Sequence, residues 1–359
     1  MKEVINTDIV TKRPSNKEVN RAGEIIRNSN DDEEIKKAIS VLDNWRSLHS
    51  IPLNSVRSFI NRILKKVFKG KNTNAILGQR LKRMPSIITK IKRFENMSVS
   101  RMQDIGGIRI ILDSIKDVYT VHDAIIHANT NHEYIIPPKD YIKEPKKDGY
   151  RSLHQVFIYH NEKHLEYDGM RIEVQLRTKL QHSWATAVET LGAINNASYK
   201  TGEGGEEEKR FFKLASALLA LKEGQNVAAE FIDTPKQELI KELMTLDKKL
   251  NIISSISGIS VSSEKISKYI AKGCKYFVLE LTITEGNKGQ LTLTSFHLED
   301  DARLFYKAKE DATRSLGNKS VLMITSENIK NIKKAYPNYF LDTQYFVKEL
   351  RKIIESKIS

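Results

Sequence analysis

Phosphate-binding side chains are concentrated between residues 80 and 109 of this 359-residue chain. We expect the first group to lie in one helical region and to supply three cations and a hydroxyl: Arg80, Lys82, Ser86 and Lys90. Arg109 follows in the sequence DIGGIR. Because a guanidinium can fork onto phosphate and can also stack on a base, Arg80 and Arg109 are suited to hold a purine ring between them.

Two carboxylates accompany these cations on separate predicted elements. Asp104 precedes a predicted buried strand, and Glu173 lies within another predicted strand. Carboxylates from two elements can hold a Mg²⁺ ion that also binds polyphosphate oxygens, and such an ion neutralises charge on a transferring group. Each residue also has an ordinary alternative, since Asp104 can cap a turn and Glu173 can pair with a lysine across the sheet.

Further polar groups occur in three short blocks between residues 139 and 178. The blocks are KDYI, PKKDGYRSLH and EVQLRT. Tyr150 lies in the lysine- and glycine-rich block, where it either fills a core or stacks on a second base, a contact worth about 1–3 kcal/mol. No single residue decides between these alternatives, but the combination indicates a polyphosphate site.

The elements that must position these residues predict an α+β fold, with a mixed β-sheet flanked by helices. Ser15 to Glu18 forms a capping-box pattern at the start of the first helix. Residues 133–150 and 201–208 are predicted to be loops because they contain proline or glycine breakers. Further predicted helices cover residues 32–45, 54–69, 117–127, 179–191 and 210–223, and predicted strands cover residues 105–112, 153–159 and 170–176.

A change of composition after Asp233 predicts a second, smaller α/β domain. A helix over 235–252 is expected to connect the two domains. Predicted strands cover residues 276–284, 291–298 and 320–325, and predicted helices cover residues 300–316, 327–335 and 342–356. The expected domains are therefore residues 1–234, a helical connector over 235–268, and a C-terminal domain over 269–359.

Composition limits the class of protein. Hydrophobic residues make up 40% of the chain and charged residues 29%, which suits a folded protein, and no apolar run approaches the length of a membrane helix. Cys274 is the only cysteine, which excludes internal disulfides and favours a cytoplasmic location. The net charge of +14 favours nucleotides or RNA as partners, although it also fits a lysine-rich protein without such a partner.

Residues 75 to 200 resemble the synthetase domain of the RelA/SpoT alarmone synthetases. The resemblance is carried by the spacing from Arg80 to Lys90 and by DIGGIR, KDYI, PKKDGYRSLH and EVQLRT, in the order typical of that family. It implies that a ribose 3′-hydroxyl attacks the β-phosphorus of ATP and that AMP leaves. Glu173 is then the candidate to accept the hydroxyl proton.

The resemblance also implies a role for each residue of the site. Arg80 and Arg109 would bind the ATP base, while Asp104 and Glu173 would hold Mg²⁺ and Tyr150 would stack on the acceptor base. The ATP phosphates would be bound by Lys82, Ser86 and Lys90. The acceptor and phosphate pocket would be lined by Lys146, His154, Gln175 and Arg177.

Two further segments resemble the CapRel-like fused toxic synthetases. They are NWRSLH with PLN near residue 50, and AYPNYFLD from residue 335. In that group a C-terminal domain acts as a built-in antitoxin whose Tyr-x-x-Tyr motif blocks the ATP site. Here the motif is Tyr336 to Tyr339, whose tyrosines are otherwise core residues at a proline turn.

The expected function is therefore an autoinhibited pyrophosphokinase that modifies the 3′ CCA end of tRNA, released by a phage structural protein. The first alternative is a small alarmone synthetase that uses GDP, GTP or an adenosine nucleotide as acceptor. Pro137 replaces the arginine that bifunctional relatives carry two residues before Lys139, which argues against an ordinary guanosine preference. The second alternative is an RNA-binding or regulatory protein that keeps the fold without catalysis.

Overall fold

A five-stranded mixed sheet carries the first domain, in the strand order β1-β2-β5-β4-β3. Strands β2 and β5 are parallel, and the other neighbouring pairs are antiparallel. The strands are β1 (Ile76–Leu81), β2 (Gly106–Leu112), β3 (Glu133–Asp140), β4 (Leu153–Ile158) and β5 (Arg171–Thr178). The computed structural model describes residues 13–70, 75–195, 204–257, 261–262, 273–284, 288–313, 318–325, 332, 336–340 and 342–356.

Three of these strands, β2, β4 and β5, confirm the sequence prediction, and two correct it. Residues 133–140 form a strand rather than part of a loop, although they contain Pro137 and Pro138. This strand lies at the sheet edge, where a proline can face outward without costing a ladder hydrogen bond. Arg80 lies on β1, and not in a helical region, because Arg80 pairs with Gly107 of β2.

Five helices surround this sheet and give it two apolar layers. They are α1 (Asn16–Asn28), α2 (Asp32–Leu48), α3 (Ser50–Val67), α4 (Met84–Arg93) and α5 (Ile115–Ile126). Helices α3 and α5 cover one face of the sheet, while α1, α2 and α4 share a second core. The capping box predicted at Ser15 and Glu18 is confirmed, with both reciprocal hydrogen bonds present.

A separate helical core lies beside the sheet and includes the end of the chain. It contains α6 (Lys179–Ile194), α7 (Glu206–Lys222), α8 (Lys236–Leu250), α9 (Ile252–Ser257) and α11 (Gln344–Glu355). Helix α7 begins at Glu206, inside the segment predicted as a loop over 201–208, and residues 201–203 of that segment lie outside the described residues. The boundaries expected at residues 234 and 268 stay predictions.

The C-terminal region contains a four-stranded sheet with the order β6-β8-β7-β9. Its elements are β6 (Val261–Ser262), β7 (Tyr276–Thr284), β8 (Lys288–Phe296), α10 (Glu299–Thr313) and β9 (Lys319–Thr325). This arrangement confirms the predicted small α/β unit, although β8 begins earlier than the strand predicted at 291. The helix predicted over 327–335 lies outside the described residues, apart from Ile332.

The two sheets meet along β1 and β2. Ile76 of β1 and Ile111 of β2 belong to the same buried cluster as Phe277, Leu279 and Ile324 of the C-terminal sheet. Burial of apolar area contributes about 25 cal/mol per Å², so this shared cluster stabilises the contact between the sheets. The strand that carries Arg80 is therefore also a docking surface for the second domain.

Gly149 offers a test of the packing beside Tyr150. Its φ is +89°, and an added Cβ would lie 3.0 Å from Ser216 and 3.1 Å from Trp184. Gly169 also has a positive φ, +72°, but nothing lies within 4 Å of its Cβ position. We expect Gly169→Ala to lower the free energy of unfolding by about 1 kcal/mol. Gly149→Ala should lower it by at least about 2 kcal/mol, because overpacking adds to the backbone strain. Urea denaturation measures both, and equal losses would contradict this packing.

Candidate active site

One cavity of about 620 Å³ brings together the residues that sequence analysis assigned to ATP, acceptor and metal, with the exception of Ser86. The cavity lies at the junction of β1, β2, β4 and β5 with the residues around position 146. Its predicted members are Arg80, Lys82, Lys90, Asp104, Arg109, Lys146, Tyr150, His154, Glu173, Gln175 and Arg177. Ser86 lies in the first turn of α4 and does not line the cavity.

The sheet register explains why these residues converge. In β5, Glu173, Gln175 and Arg177 alternate with apolar residues, so their side chains share one face of the strand. Gln175 lies between Arg109 of β2 and His154 of β4 in the strand pairing. Side chains from three neighbouring strands therefore face the same cavity.

Asp104 is held between two lysines at the mouth of β2. Its carboxylate oxygens lie 2.9 Å from Lys82 Nζ and 2.9 Å from Lys90 Nζ. Burial alone would raise the pKa of Asp104, but the two ammonium groups outweigh it and hold the pKa well below its ordinary value. The carboxylate is therefore ionised throughout the physiological pH range.

Glu173 ends a buried chain of hydrogen bonds. One of its oxygens lies 2.9 Å from His154 Nδ1, and the other accepts a bond of 2.7 Å from Gln175. His154 Nε2 in turn lies 2.9 Å from the Tyr150 hydroxyl. Burial raises the pKa of Glu173, but the contacts with His154 and Gln175 lower it below its ordinary value. The chain fixes both the carboxylate and the tyrosine ring.

The donor set fits a divalent ion that is shared with a ligand. Among the described residues, no group of three or more His, Cys, Asp or Glu side chains is arranged to hold a metal. Asp104 and Glu173 nevertheless line the same cavity and supply the hard oxygen atoms that Mg²⁺ prefers. Because Mg²⁺ is often bound by one or two carboxylates together with phosphates, these two residues are sufficient if Lys82 and Lys90 turn toward the phosphates.

Clustered arginines contribute to the positive charge of the cavity. Arg177 is only 2% exposed. Burial and the nearby Arg109 lower the pKa of the Arg177 guanidinium to about 9, against the opposing charge of Glu189. Desolvation also lowers the pKa of Arg109, and the charge of Arg80 lowers it further, while Glu189 again opposes the shift. Cations outweigh Glu189 at both arginines, so the arrangement is suited to a polyphosphate.

Tyr150 combines the two positions predicted for it, one in an apolar core and one at the wall of the binding site. It packs against the helical core, while its ring lies in the cavity wall. Lys146 Nζ lies 5.0 Å from the Tyr150 ring centre and 4.4 Å from that of Tyr141. The cation and the two rings form an aromatic corner that can receive a base.

Several cavity residues were not assigned a role from the sequence. Lys139 Nζ donates to Gln103 Oε1 over 2.8 Å and so closes one side of the cavity. Arg101, Tyr141 and Asp148 also line it. The polar run before DIGGIR was the available signal for Arg101 and Gln103, because residues next to a strand mouth share its surroundings.

Tyr336 reaches the back of this site from the C-terminal domain. Its hydroxyl donates to the Gln79 carbonyl of β1 over 2.5 Å, and its ring centre lies 5.9 Å from the Arg109 guanidinium carbon. Tyr339 is also buried, and its hydroxyl accepts from Ser320 over 3.0 Å. Neither tyrosine lines the cavity itself. Of the two tyrosines, Tyr336 is the one whose ring lies against Arg109.

The Asp104 arrangement yields a binding test. Asp104→Asn removes the negative charge between Lys82 and Lys90. We therefore expect a nonhydrolysable ATP analogue to bind roughly tenfold tighter without a divalent ion. In the same variant Mg²⁺ should no longer improve binding. Isothermal titration with Mg²⁺ and with a chelator measures both effects. Asp148→Asn makes the same charge change at an exposed wall residue and should keep the Mg²⁺ effect. A Mg²⁺ effect that survives in Asp104→Asn would exclude this carboxylate as a metal ligand.

Comparison with known proteins shows that the cavity residues lie within a segment that matches a protein-family model. A family model named "Region found in RelA / SpoT proteins" matches residues 79–203. Bacillus subtilis GTP pyrophosphokinase YjbM is 33% identical over 119 residues, which cover 31% of this chain and 53% of that protein. The GTP pyrophosphokinase of Photobacterium angustum is 26% identical over 185 residues, covering 50% of this chain and 23% of that one. The chain thus spans about half the length of the first relative and just under a quarter of the length of the second.

Solved structures that are similar to this chain have related names. A GTP pyrophosphokinase family protein from Streptococcus pneumoniae has 25% identity and a TM-score of 0.43, and the match covers 55% of this chain and 96% of that one. Small alarmone synthetase 1 of Bacillus subtilis, bound to its product pppGpp, has 25% identity and a TM-score of 0.40, covering 48% and 89%. Among the described residues, no helix has the length and apolar character needed to cross a membrane. The cavity residues all lie within the segment that matches the region found in RelA / SpoT proteins.

Proposed function

We propose that the chain is an ATP-dependent pyrophosphokinase that transfers the β,γ-diphosphate of ATP to a ribose 3′-hydroxyl. The observation that carries the proposal is the cavity in which several arginines, the lysine pair Lys82 and Lys90, and the carboxylates of Asp104 and Glu173 converge. Such a set suits phosphoryl-type transfer, where positioning and charge stabilisation do most of the catalytic work. A noncatalytic binding protein would have no need for two carboxylates, Asp104 and the buried Glu173, beside its phosphate-binding cations.

The proposed reaction breaks one bond and forms another at the β-phosphorus. The acceptor 3′-oxygen bonds to that phosphorus, the bond to the α-phosphate oxygen breaks, and AMP leaves. Mg²⁺ held by Asp104 and Glu173 would neutralise charge on the transferred group. Lys82 and Lys90 would turn from Asp104 to the ATP phosphates and bind them. Arg80 and Arg109 would hold the adenine.

The acceptor side is assigned to the aromatic corner and the buried hydrogen-bond chain. Tyr150 stacks on the acceptor base and Lys146 lies beside it. Glu173 receives the hydroxyl proton, directly or through His154, which contacts it at 2.9 Å. Since the pKa of Glu173 is lowered, this carboxylate is a weak base, and the proton is expected to move late in a loose transition state.

The acceptor is proposed to be the 3′ CCA end of tRNA, so that transfer stops translation. The net charge of +14 supports a nucleic acid partner. GDP or GTP is the second candidate, because relatives are named GTP pyrophosphokinase and one is described with bound pppGpp. A function in phage defence, with a phage structural protein as the trigger, belongs to the first candidate only.

Labelled ATP separates these candidates. The full chain with Tyr336→Ala and Tyr339→Ala is incubated with γ-³²P-labelled ATP and with tRNA, GDP or GTP. Label on tRNA is the expected result, and label on a small nucleotide alone would favour the second candidate. Asp104→Ala is the matched control and should reduce transfer at least about a thousandfold, on the scale of a lost charge-stabilising group. Transfer to none of these acceptors would contradict the proposed activity.

We also propose that the C-terminal domain inhibits the site while it is docked. Tyr336 contacts Arg109 and the strand that carries Arg80, which supports a block on adenine binding. Burial raises the pKa of Tyr336 to about 12, against the opposing effect of Arg109, so its hydroxyl stays a hydrogen-bond donor at neutral pH. A tethered domain has a high effective concentration, so a modest contact is sufficient to inhibit.

A buried polar cluster supports the docked arrangement. We call Asp43, Arg46, Tyr306 and Glu310 the interdomain cluster, since α2 supplies the first two and α10 the others. Arg46 lies 2.6 Å from Asp43 and 2.8 Å from Glu310. Glu310 also accepts from the Tyr306 hydroxyl over 2.5 Å and from the Met84 amide over 3.0 Å.

The hydrogen bond between Glu310 and the Met84 amide connects the docked domain to α4, the helix that carries Lys90. Met84 is the first residue of α4, whose preceding residue provides no side-chain cap. Glu310 therefore satisfies an amide at the start of the helix that carries Lys90. Breaking a buried pair by removing one partner is strongly destabilising, by about 3–5 kcal/mol, because the other charge stays buried.

The interdomain cluster gives a double-mutant test. We expect Arg46→Ala and Glu310→Ala each to release the domain, seen as at least tenfold faster amide exchange in α10 and as higher diphosphate transfer. The double variant should change amide exchange and transfer no more than the stronger single variant does, because the ion pair can be lost only once. Lys309→Ala is the control, since Lys309 on the same helix pairs with Glu280 of its own domain. Strictly additive effects, or unchanged exchange, would contradict the inhibitory role of this cluster.

A further inference from the structure

A second polar groove lies beside the active-site cavity. It has a volume of about 460 Å³ and is lined by the start of α1, the turn around residue 100 and the segment before β5. Three arginines line it, namely Arg13, Arg101 and Arg171. Asp168 is the one carboxylate among its described lining residues.

Two of the arginines are oriented by their contacts. Arg13 donates to the Leu165 and Asp168 carbonyls over 3.0 and 2.8 Å, and its guanidinium carbon lies 5.2 Å from the centre of the Trp45 ring. Arg171 donates to the Arg101 carbonyl over 2.9 Å. Within the part of the chain that the structure describes, none of the three guanidiniums has a carboxylate oxygen within ion-pair distance. Their charge is therefore available for an anionic ligand.

The local electrostatics are unfavourable without an anion. Burial lowers the pKa of Arg171, and the neighbouring Arg101 lowers it further. Burial also lowers the pKa of Arg13, although Asp168 partly opposes this effect. Ordinary protein surfaces carry charges of both signs side by side, whereas this groove is lined by three cations and one carboxylate.

The groove adjoins the active-site cavity. Ser98 and Arg101 line both spaces. The shared turn is held in place by Asn20, whose side-chain oxygen accepts from the Ser98 hydroxyl and from the Ser100 amide, both over 3.0 Å. An RNA strand whose 3′ end lies in the cavity would therefore have cationic side chains next to it where it leaves the cavity.

We propose that this groove binds the phosphodiester backbone of a single-stranded RNA whose 3′ end lies in the cavity. This inference rests on the proposed diphosphate transfer and deepens it, because it selects RNA rather than a free nucleotide as the acceptor. The arginines bind phosphates without reading bases, so they position the strand while the cavity selects its terminal nucleotide. A GDP or GTP acceptor occupies the cavity and does not depend on the groove.

The test compares charge removal with charge retention at two groove residues outside the cavity. One variant of the full chain carries Arg13→Gln and Arg171→Gln, and its partner carries Arg13→Lys and Arg171→Lys. Lys241→Gln is the matched control, because Lys241 is an exposed cation of α8 and lies in neither space. Binding of a fluorescein-labelled RNA ending in CCA is followed by anisotropy over a range of salt concentrations. Transfer from labelled ATP to tRNA, GDP and GTP is measured in the Tyr336→Ala, Tyr339→Ala background.

The glutamine variant should bind RNA at least tenfold more weakly at low salt, with a salt slope shallower by about two. Its affinity for an ATP analogue and any transfer to GDP or GTP should stay unchanged. The lysine variant should keep most of the RNA affinity, which a purely structural role for the guanidiniums would not predict. Unchanged RNA binding in the glutamine variant, or an equal loss of transfer to GDP, would overturn the inference.

The outcomes also separate this inference from the proposed function. If the parent chain transfers label to GDP or GTP and does not bind RNA, the diphosphate transfer stands and the groove assignment fails. If RNA binding depends on Arg13 and Arg171 but no acceptor is labelled, the groove assignment stands and the proposed reaction fails.

Discussion

Repulsion between the guanidiniums of Arg109 and Arg177 is the constraint on which this site depends. Arg177 is buried on β5 and Arg109 is half-buried on the neighbouring β2, and desolvation lowers the pKa of each guanidinium. Cations in a low-dielectric cavity are costly unless an anion or a polarisable ring lies against them. A cavity built in this way is already organised for a polyphosphate, since its charges need little rearrangement when that ligand binds.

The same constraint connects the active site to the C-terminal domain. Tyr336 presents its ring to Arg109 and its hydroxyl to the strand beside Arg80. Ile76 and Ile111 on β1 and β2 belong to the apolar cluster that the second sheet completes. One pair of strands therefore both lines the cavity and packs against the second domain. A ligand or partner that favours one arrangement necessarily acts on the other, since a ligand shifts an equilibrium toward the state that it binds better.

The sequence predicted the local features well. Strands β2, β4 and β5 follow from runs of β-branched and apolar residues, and the predicted site residues, of which only Ser86 lies outside the cavity, come from clusters of charged and aromatic residues near strand ends. Strand β3 was missed because its prolines indicate a break, and only its edge position makes them harmless. Strand β1 was missed because its six residues include Gly78 and two polar side chains, and its extended form depends on pairing with β2.

Long-range contacts account for the remaining differences. Glu310 lies 226 positions from the Met84 amide that it accepts from, and no local pattern indicates such a partner. The groove is formed by Arg13, Arg101 and Arg171, which are far apart in the sequence and have no shared motif. Sequence patterns report which residues prefer to be buried or charged, whereas the neighbours of a given charge are set by the assembled fold.

A crystal structure of the full chain with a nonhydrolysable ATP analogue and Mn²⁺ tests the central claim most directly. We expect anomalous density between Asp104 and Glu173, phosphates on Lys82 and Lys90, and Tyr336 displaced from Arg109. An analogue bound elsewhere, or bound in the cavity while Asp104 still bridges the two lysines without a metal, would contradict it.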